Sequence, residues 1–321
     1  MYVGPSLGGK TTNIQNIHTL IPEQNRTRLS SIDTEGDRTL FFDYFSMDLD
    51  DIADLDESVA SNDAWAFEQA DRQVKKLPQR EGKDRRTEGE VFDNLTLMTL
   101  HKLLLHGALK SLDFPVSTGK EANVFRGTTP EGGLVAVKIY RVNTATFKHV
   151  LQYIDGDERF KGVKGDKRAL VYAWAQKEFL NLQRLQAAGV DVPEPIRVLN
   201  NVLIMEYIGI EDGAYPQLKE LGRLDKKEAE RFWKKLSADF VLMHDKAGLV
   251  HGDLSEYNII VDAAGTKKAN PRIMDVGQAV LRTHPMAWEF LDRDVKNLTS
   301  YFNRQRLRRT PEELKALLRK T

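Results

Sequence analysis

Cysteine is absent from all 321 residues, which excludes disulfides and thiolate metal sites and suits a cytoplasmic protein. No apolar run approaches the roughly 20 residues that span a bilayer, so no membrane partner is expected. The N-terminus also lacks the basic stretch and apolar core of a secretory signal. Net charge is missing too, since 47 Lys and Arg balance 47 Asp and Glu, although the balance hides local segregation. What remains, 41% hydrophobic and 29% charged, is the composition of a globular chain long enough for two lobes and a substantial core.

Segregation is clearest near the N-terminus. Gly4-Pro5-Ser6-Leu7-Gly8-Gly9-Lys10-Thr11 matches the G-x-x-x-x-G-K-[ST] phosphate loop, and the apolar spacing of Ile14, Ile17, Leu20 and Ile21 fits the helix that should follow. Residues 1–49, including Asp37-Arg38-Thr39-Leu40-Phe41-Phe42-Asp43, resemble a piece of a bacterial Ras-like GTPase of the gliding and polarity type. That resemblance would place Lys10 and Thr11 on phosphates and Mg²⁺ and Thr39 in the first switch. Only Tyr2 and Val3 remain of the preceding strand, and neither a D-x-x-G in context nor an N-K-x-D follows. The unit therefore reads as an incomplete fragment without a working nucleotide site. Residues 50–87 run from acidic (Asp50, Asp51, Asp54, Asp56, Glu57) to basic (Lys75, Lys76, Arg80, Arg85, Arg86), with few apolar residues. They read as a solvated linker, whose basic half is also suited to RNA phosphates.

Further on, Leu249-Val250-His251-Gly252-Asp253-Leu254-Ser255-Glu256-Tyr257-Asn258 sets a carboxylate five residues ahead of an amide. By itself this is compatible with a capped surface turn. Two partners change the reading. Val135-Ala136-Val137-Lys138 is a β-branched strand ending in a lysine, and Ile273-Met274-Asp275 is a second apolar strand delivering a carboxylate 22 positions after Asp253. Lysine, then Asp and Asn, then Asp is the order of a kinase-like phosphotransferase, in which one acid orients the acceptor hydroxyl and the others hold phosphates and metal.

Helical spacing of Leu95, Met98, Leu103 and Leu104 predicts one or two helices up to Gly107. Where conventional kinases carry G-x-G-x-x-G, this chain has Ser117-Thr118-Gly119-Lys120-Glu121-Ala122. A helix from Arg168 to Ala188 carries Glu178, expected to pair with Lys138. Its neighbour Lys177 reads as an exposed charge on the same helix. Asp225 should cap a helix closed by Gly248, and Thr310-Pro311-Glu312-Glu313 forms a capping box for a last, basic helix. His251 reads as a packed residue rather than a base.

The S-T-G-K-E-A run, H-G-D-L-S-E-Y-N and I-M-D-V-G-Q together resemble the RIO family of atypical protein kinases, in the first-type branch, over residues 88–305. The resemblance implies an α+β, two-lobed protein-kinase-like fold with a short C-terminal lobe. The N-lobe would span residues 88–209 and the C-lobe residues 210–321. It implies ATP with Mg²⁺, or Mn²⁺, in the cleft, and residues 141–169 as a mobile insertion beside it. Asp253 would be the base, Asn258 and Asp275 the metal ligands, and Lys138 with Glu178 would serve the α/β-phosphates. Ser117, Thr118 and Lys120 would form the phosphate loop. Met205 would be the gatekeeper, and Glu206 and Ile208 would meet adenine. The family further implies autophosphorylation, in some members a transient aspartyl-phosphate, here at Asp275, and a role with the small ribosomal subunit precursor or its rRNA. Gly277, where serine is more usual, departs mildly. Ser255 replaces the lysine of conventional kinases, and no A-P-E occurs in the 43 residues after Gln278. Rival readings are a small-molecule phosphotransferase of the aminoglycoside or choline kinase type, a non-catalytic ribosome assembly factor and, last, a GTPase.

Overall fold

The computed structural model describes residues 30–32, 42–44, 93–142, 147–160, 162–163 and 167–318. The chain divides into two units, Met1–Glu88 and Gly89–Thr321. In the first, β1 (Ser30–Ile32) and β2 (Phe42–Tyr44) pair antiparallel, with Ser31 opposite Asp43. The phosphate-loop match at residues 4–11, Thr39 and the charged stretch 50–87 lie outside the described residues.

The second unit begins with α1 (Asn94–Leu105), a single helix where the spacing allowed one or two. The Asp93 carboxylate accepts the Thr96 N–H at 2.8 Å and starts it. Then come β3 (Ser111–Thr118), β4 (Ala122–Thr128) and β5 (Leu134–Tyr140). Past α2 (Phe147–Ile154) and the long α3 (Lys167–Ala187), β6 (Pro195–Leu199) and β7 (Val202–Glu206) complete an antiparallel sheet ordered β3-β4-β5-β7-β6. The central strand β5 is buried at six of seven positions, which is why its sequence is an almost unbroken apolar run. Alternation divides its faces. Val135, Val137 and Ile139 pack with Leu100, Leu103 and Ile204 beneath α1, leaving Ala136 and Lys138 for the opposite side.

Chain direction reverses through β8 (Gly209–Ile210) and β9 (Gly213–Ala214), paired antiparallel. A Cβ on Gly209 would sit 2.6 Å from the Gly213 carbonyl oxygen, so this hairpin admits only glycine there. In the C-terminal lobe α4 (Lys226–Val241), capped by Asp225, continues into a π turn, Leu242–Lys246. Gly248, at φ +63°, ends it as expected, while the π turn itself left no mark in the apolar spacing. Four short strands follow: β10 (Leu249–Val250), β11 (Ile259–Asp262), β12 (Asn270–Ile273) and β13 (Val280–Leu281). α5 (Ala287–Arg304) and α6 (Pro311–Ala316) close the lobe, the latter with the full Thr310–Glu313 capping box. Its core gathers Phe232, Leu236, Phe290, Leu298 and Phe302, each at most 2% exposed. Among the described residues no helix is long and apolar enough to cross a membrane.

Pairing in this lobe fixes two loops. β10 joins β13 with Val250 opposite Val280, and β11 joins β12 with Ile259 opposite Ile273. The loop 251–258 and the loop 274–279 are thereby held side by side at both ends.

Candidate active site

Lys138 projects from the non-α1 face of β5, 8% exposed, into a cleft of about 720 Å³ between the lobes. Its Nζ donates to Glu178 Oε1 at 2.9 Å and Oε2 at 2.8 Å, and to Asp275 Oδ1 at 2.8 Å. The Tyr140 hydroxyl also donates to Glu178 Oε2. Burial would depress the Lys138 pKa, but the Asp275 and Glu178 carboxylates overcome it and hold the ammonium above its usual range. Glu178 is pushed up, by burial first and against the pull of Lys138. Asp275 is drawn down, chiefly by the Lys138 charge.

Asp275 occupies left-handed backbone at φ +57°, a region that costs a non-glycine residue energy but suits Asp better than most. That bend turns its half-exposed side chain (53%) into the cleft at the end of β12. Asn258 lines the same cleft from the other loop. Its Nδ2 donates to the Asp253 carbonyl at 2.8 Å and to Asp253 Oδ2 at 3.1 Å, so the amide fixes the carboxylate's orientation. Asp253 stands behind Asn258, outside the cleft lining, with its pKa raised by burial and partly restored by His251 and Asn258. His251 is packed as expected, 1% exposed, with Nε2 against the Met274 carbonyl oxygen at 3.2 Å.

The rest of the cleft falls into two kinds of wall. Ala122, Val124, Ala136, Ile260 and Met274 form an apolar slot, and Met205, Glu206, Tyr207 and Ile208 line its back edge. Ser117, Gly119 and Lys120 line the front, and Thr118 is outside the lining. Ser117 and Thr118 are the last residues of β3 rather than loop, and strand alternation sends their side chains to opposite faces.

Four contributors carried no signal in the sequence. Asp294 on α5, fully buried, accepts the Gly252 N–H at 2.8 Å and the Leu254 N–H at 2.7 Å, bracketing Asp253; burial lifts its pKa to about 6. Arg293 beside it donates to the Gly252 carbonyl. Arg272 on β12 reaches across the lobes to Glu206, at 2.7 Å through each of two nitrogens, and to Asp191 at 2.7 Å. Lys177, expected on the surface, has no exposure at all, and burial takes its pKa down to about 7. It lies on the covered side of α3 with Trp174, Glu178 and Asn181, while Gln176 and Gln183 are exposed.

Among the described residues no group of three or more His, Asp or Glu is arranged to hold a metal ion. Asp275 and Asn258 are the two oxygen-bearing side chains that the paired loops 251–258 and 274–279 bring to the cleft. That set fits Mg²⁺, which takes few protein ligands and completes its shell with water and phosphate.

Known proteins resemble this chain in sequence and in fold. Residues 123–314 match the model of the RIO domain. The chain is 42% identical over 220 residues to the RIO-type serine/threonine-protein kinase Rio1 of Haloferax volcanii, covering 68% of this chain and 73% of that one. It is 38% identical over 223 residues to the human serine/threonine-protein kinase RIO1, of whose length it spans 38%. Among solved structures, the Rio2 kinase–ADP/Mg²⁺–phosphoaspartate complex from Chaetomium thermophilum superposes with a TM-score of 0.54 at 21% identity. That match covers 75% of this chain and 70% of the other, a likeness of fold.

Proposed function

Since the chain belongs to the RIO family of atypical serine/threonine kinases, in its first-type branch, we propose that it transfers the γ-phosphoryl group of ATP. The observation that carries this reading is the Lys138 ammonium clasped between Glu178 and Asp275 in the cleft that Asn258 also lines. Lys138, oriented by Glu178, binds the α/β-phosphates. The apolar slot takes adenine, with Met205 at its back and the Glu206 and Ile208 main chain along its edge. Ser117 and Lys120 cover the phosphates from the front, with Thr118 beside them at the end of β3. Asp275 and Asn258 hold Mg²⁺, or Mn²⁺, which when bound neutralises charge on the phosphates.

Asp253, anchored through its neighbours' N–H groups by Asp294 and oriented by Asn258, accepts the proton of the attacking hydroxyl. The half-exposed Asp275 carboxylate is a second acceptor. Its oxygen would take the phosphoryl group as ADP leaves, and water would later release inorganic phosphate. Turnover of this kind suits an ATPase that times its departure from a small ribosomal subunit precursor in the cytoplasm, the partner that the family implies.

The test is ATP hydrolysis and self-phosphorylation with Mg²⁺, with and without small ribosomal subunits. Full chain, Asp253→Ala and Asp275→Asn are compared. Loss of about 10²–10⁴-fold in both variants is expected, together with subunit-dependent turnover in the full chain. Label on Asp275 would be cleaved by hydroxylamine. ATP binding without turnover under any condition would leave a non-catalytic assembly factor as the better description.

A further inference from the structure

Lys177 is completely buried, yet its ammonium is directed at main chain rather than at a carboxylate. The Nζ donates to the Gly277 carbonyl at 3.0 Å and also to the Ala279 carbonyl. One helical turn on, Asn181 Nδ2 donates to the carbonyls of Val276 and Ala279, each at 2.9 Å. Residues four apart share a helix face, so α3 presents two donors to one short segment. Asn181 is itself oriented: its Oδ1 accepts from Arg159 Nη1 at 2.9 Å, and Arg159 is forked onto Asp157.

The segment so gripped, 276–279, leaves directly from Asp275. The helix that grips it carries Glu178, the residue next to Lys177. Burying an ammonium costs several kcal/mol, and an apolar side chain would fill the space without that cost. The lysine is therefore explained by its directional donors.

We infer that Lys177 is a positioning residue: it ties the loop leaving Asp275 to the helix bearing Glu178, so that both carboxylates on Lys138 are set as one unit. The inference rests on the phosphoryl-transfer reading for its catalytic consequence, though not for its structural one.

The full chain carrying Lys177→Met, similar in length but without donors, is compared with wild type and with Lys177→Gln, which keeps an N–H donor. Amide hydrogen exchange of the 275–281 segment, kcat and KM for ATP, and urea stability are read in each. Expected for Lys177→Met is exchange about 10–100-fold faster in that segment. A fall in kcat of about 10–100-fold, with little change in KM, should accompany it. Lys177→Gln should recover part of both, and it carries the same comparison against wild type if the Met variant does not fold. Unchanged exchange and unchanged kcat, whatever happens to stability, would overturn the inference. A wild-type chain without turnover would count against phosphoryl transfer instead, and the exchange data would still decide the role of Lys177.

Discussion

Lys138 is the side chain on which most charge converges, and its removal should be felt in the fold as well as in turnover. Lys138→Met leaves the Glu178 carboxylate, 1% exposed, with only the Tyr140 hydroxyl. An orphaned buried charge of this kind costs about 3–5 kcal/mol. Urea unfolding should show a loss of that size, and Lys138→Met with Glu178→Gln should recover much of it. The cleft residues Lys138, Asn258 and Asp275 stood out in the sequence because each lies within or beside an apolar strand at a set spacing. Lys177 did not. Its helix's buried face includes Lys177, Glu178 and Asn181 beside Leu170, Trp174 and Leu185, and its exposed face carries Gln176, Gln183 and Arg184, so polarity did not mark which charges lie inside. Asp294 lies 41 positions after Asp253, within a helix whose pattern predicts packing alone, and nothing local links the two.

At the scale of elements, the lobes are joined by the Arg272 fork as well as by the chain itself. Its partners Asp191 and Glu206 both have lowered pKa values. For Glu206 the cause is first the Arg272 hydrogen bond; for Asp191, bonds from Asn270, Lys235 and Arg272 outweigh its burial. A carboxylate whose pKa falls on folding stabilises the fold above its unfolded value and gives that up as the pH drops. The wild-type melting temperature should therefore decline between about pH 5 and 3, and decline less in Arg272→Met. Because Glu206 is 37% exposed, solvent and salt weaken the effect. Differential scanning calorimetry across that pH range measures it, and equal slopes in both proteins would refute it. Arg272 was invisible in the sequence because it sits among residues that read only as a short strand. Helix caps, by contrast, were legible at Asp225 and Thr310, where the signal is confined to four residues.

At the scale of the molecule, every residue of the cleft lies in the unit Gly89–Thr321. A chain beginning at Gly89 should bind ATP and melt as the full chain does, and guanine nucleotide should bind neither. Calorimetric titration with ATP and GTP checks both, and tenfold weaker ATP binding by the shorter chain would contradict the expectation. The kinase-like architecture was legible because three motifs appear in a fixed order. The flanking helices and short strand pairs were less so, since two-residue strands such as β10 and β13 carry almost no periodicity.

Gly252 precedes Asp253 in a left-handed turn, φ +82°, and a Cβ there would come 3.2 Å from the Gln278 carbonyl oxygen. Any other residue at that point is strained. Conventional kinases often use an arginine at this place to read a phosphate on their own activation segment. Here a single substitution cannot install that reader, because the backbone route itself would have to change first. The chain is thus closed to the commonest evolutionary path by which kinases come under upstream command through a phosphate on their own activation segment.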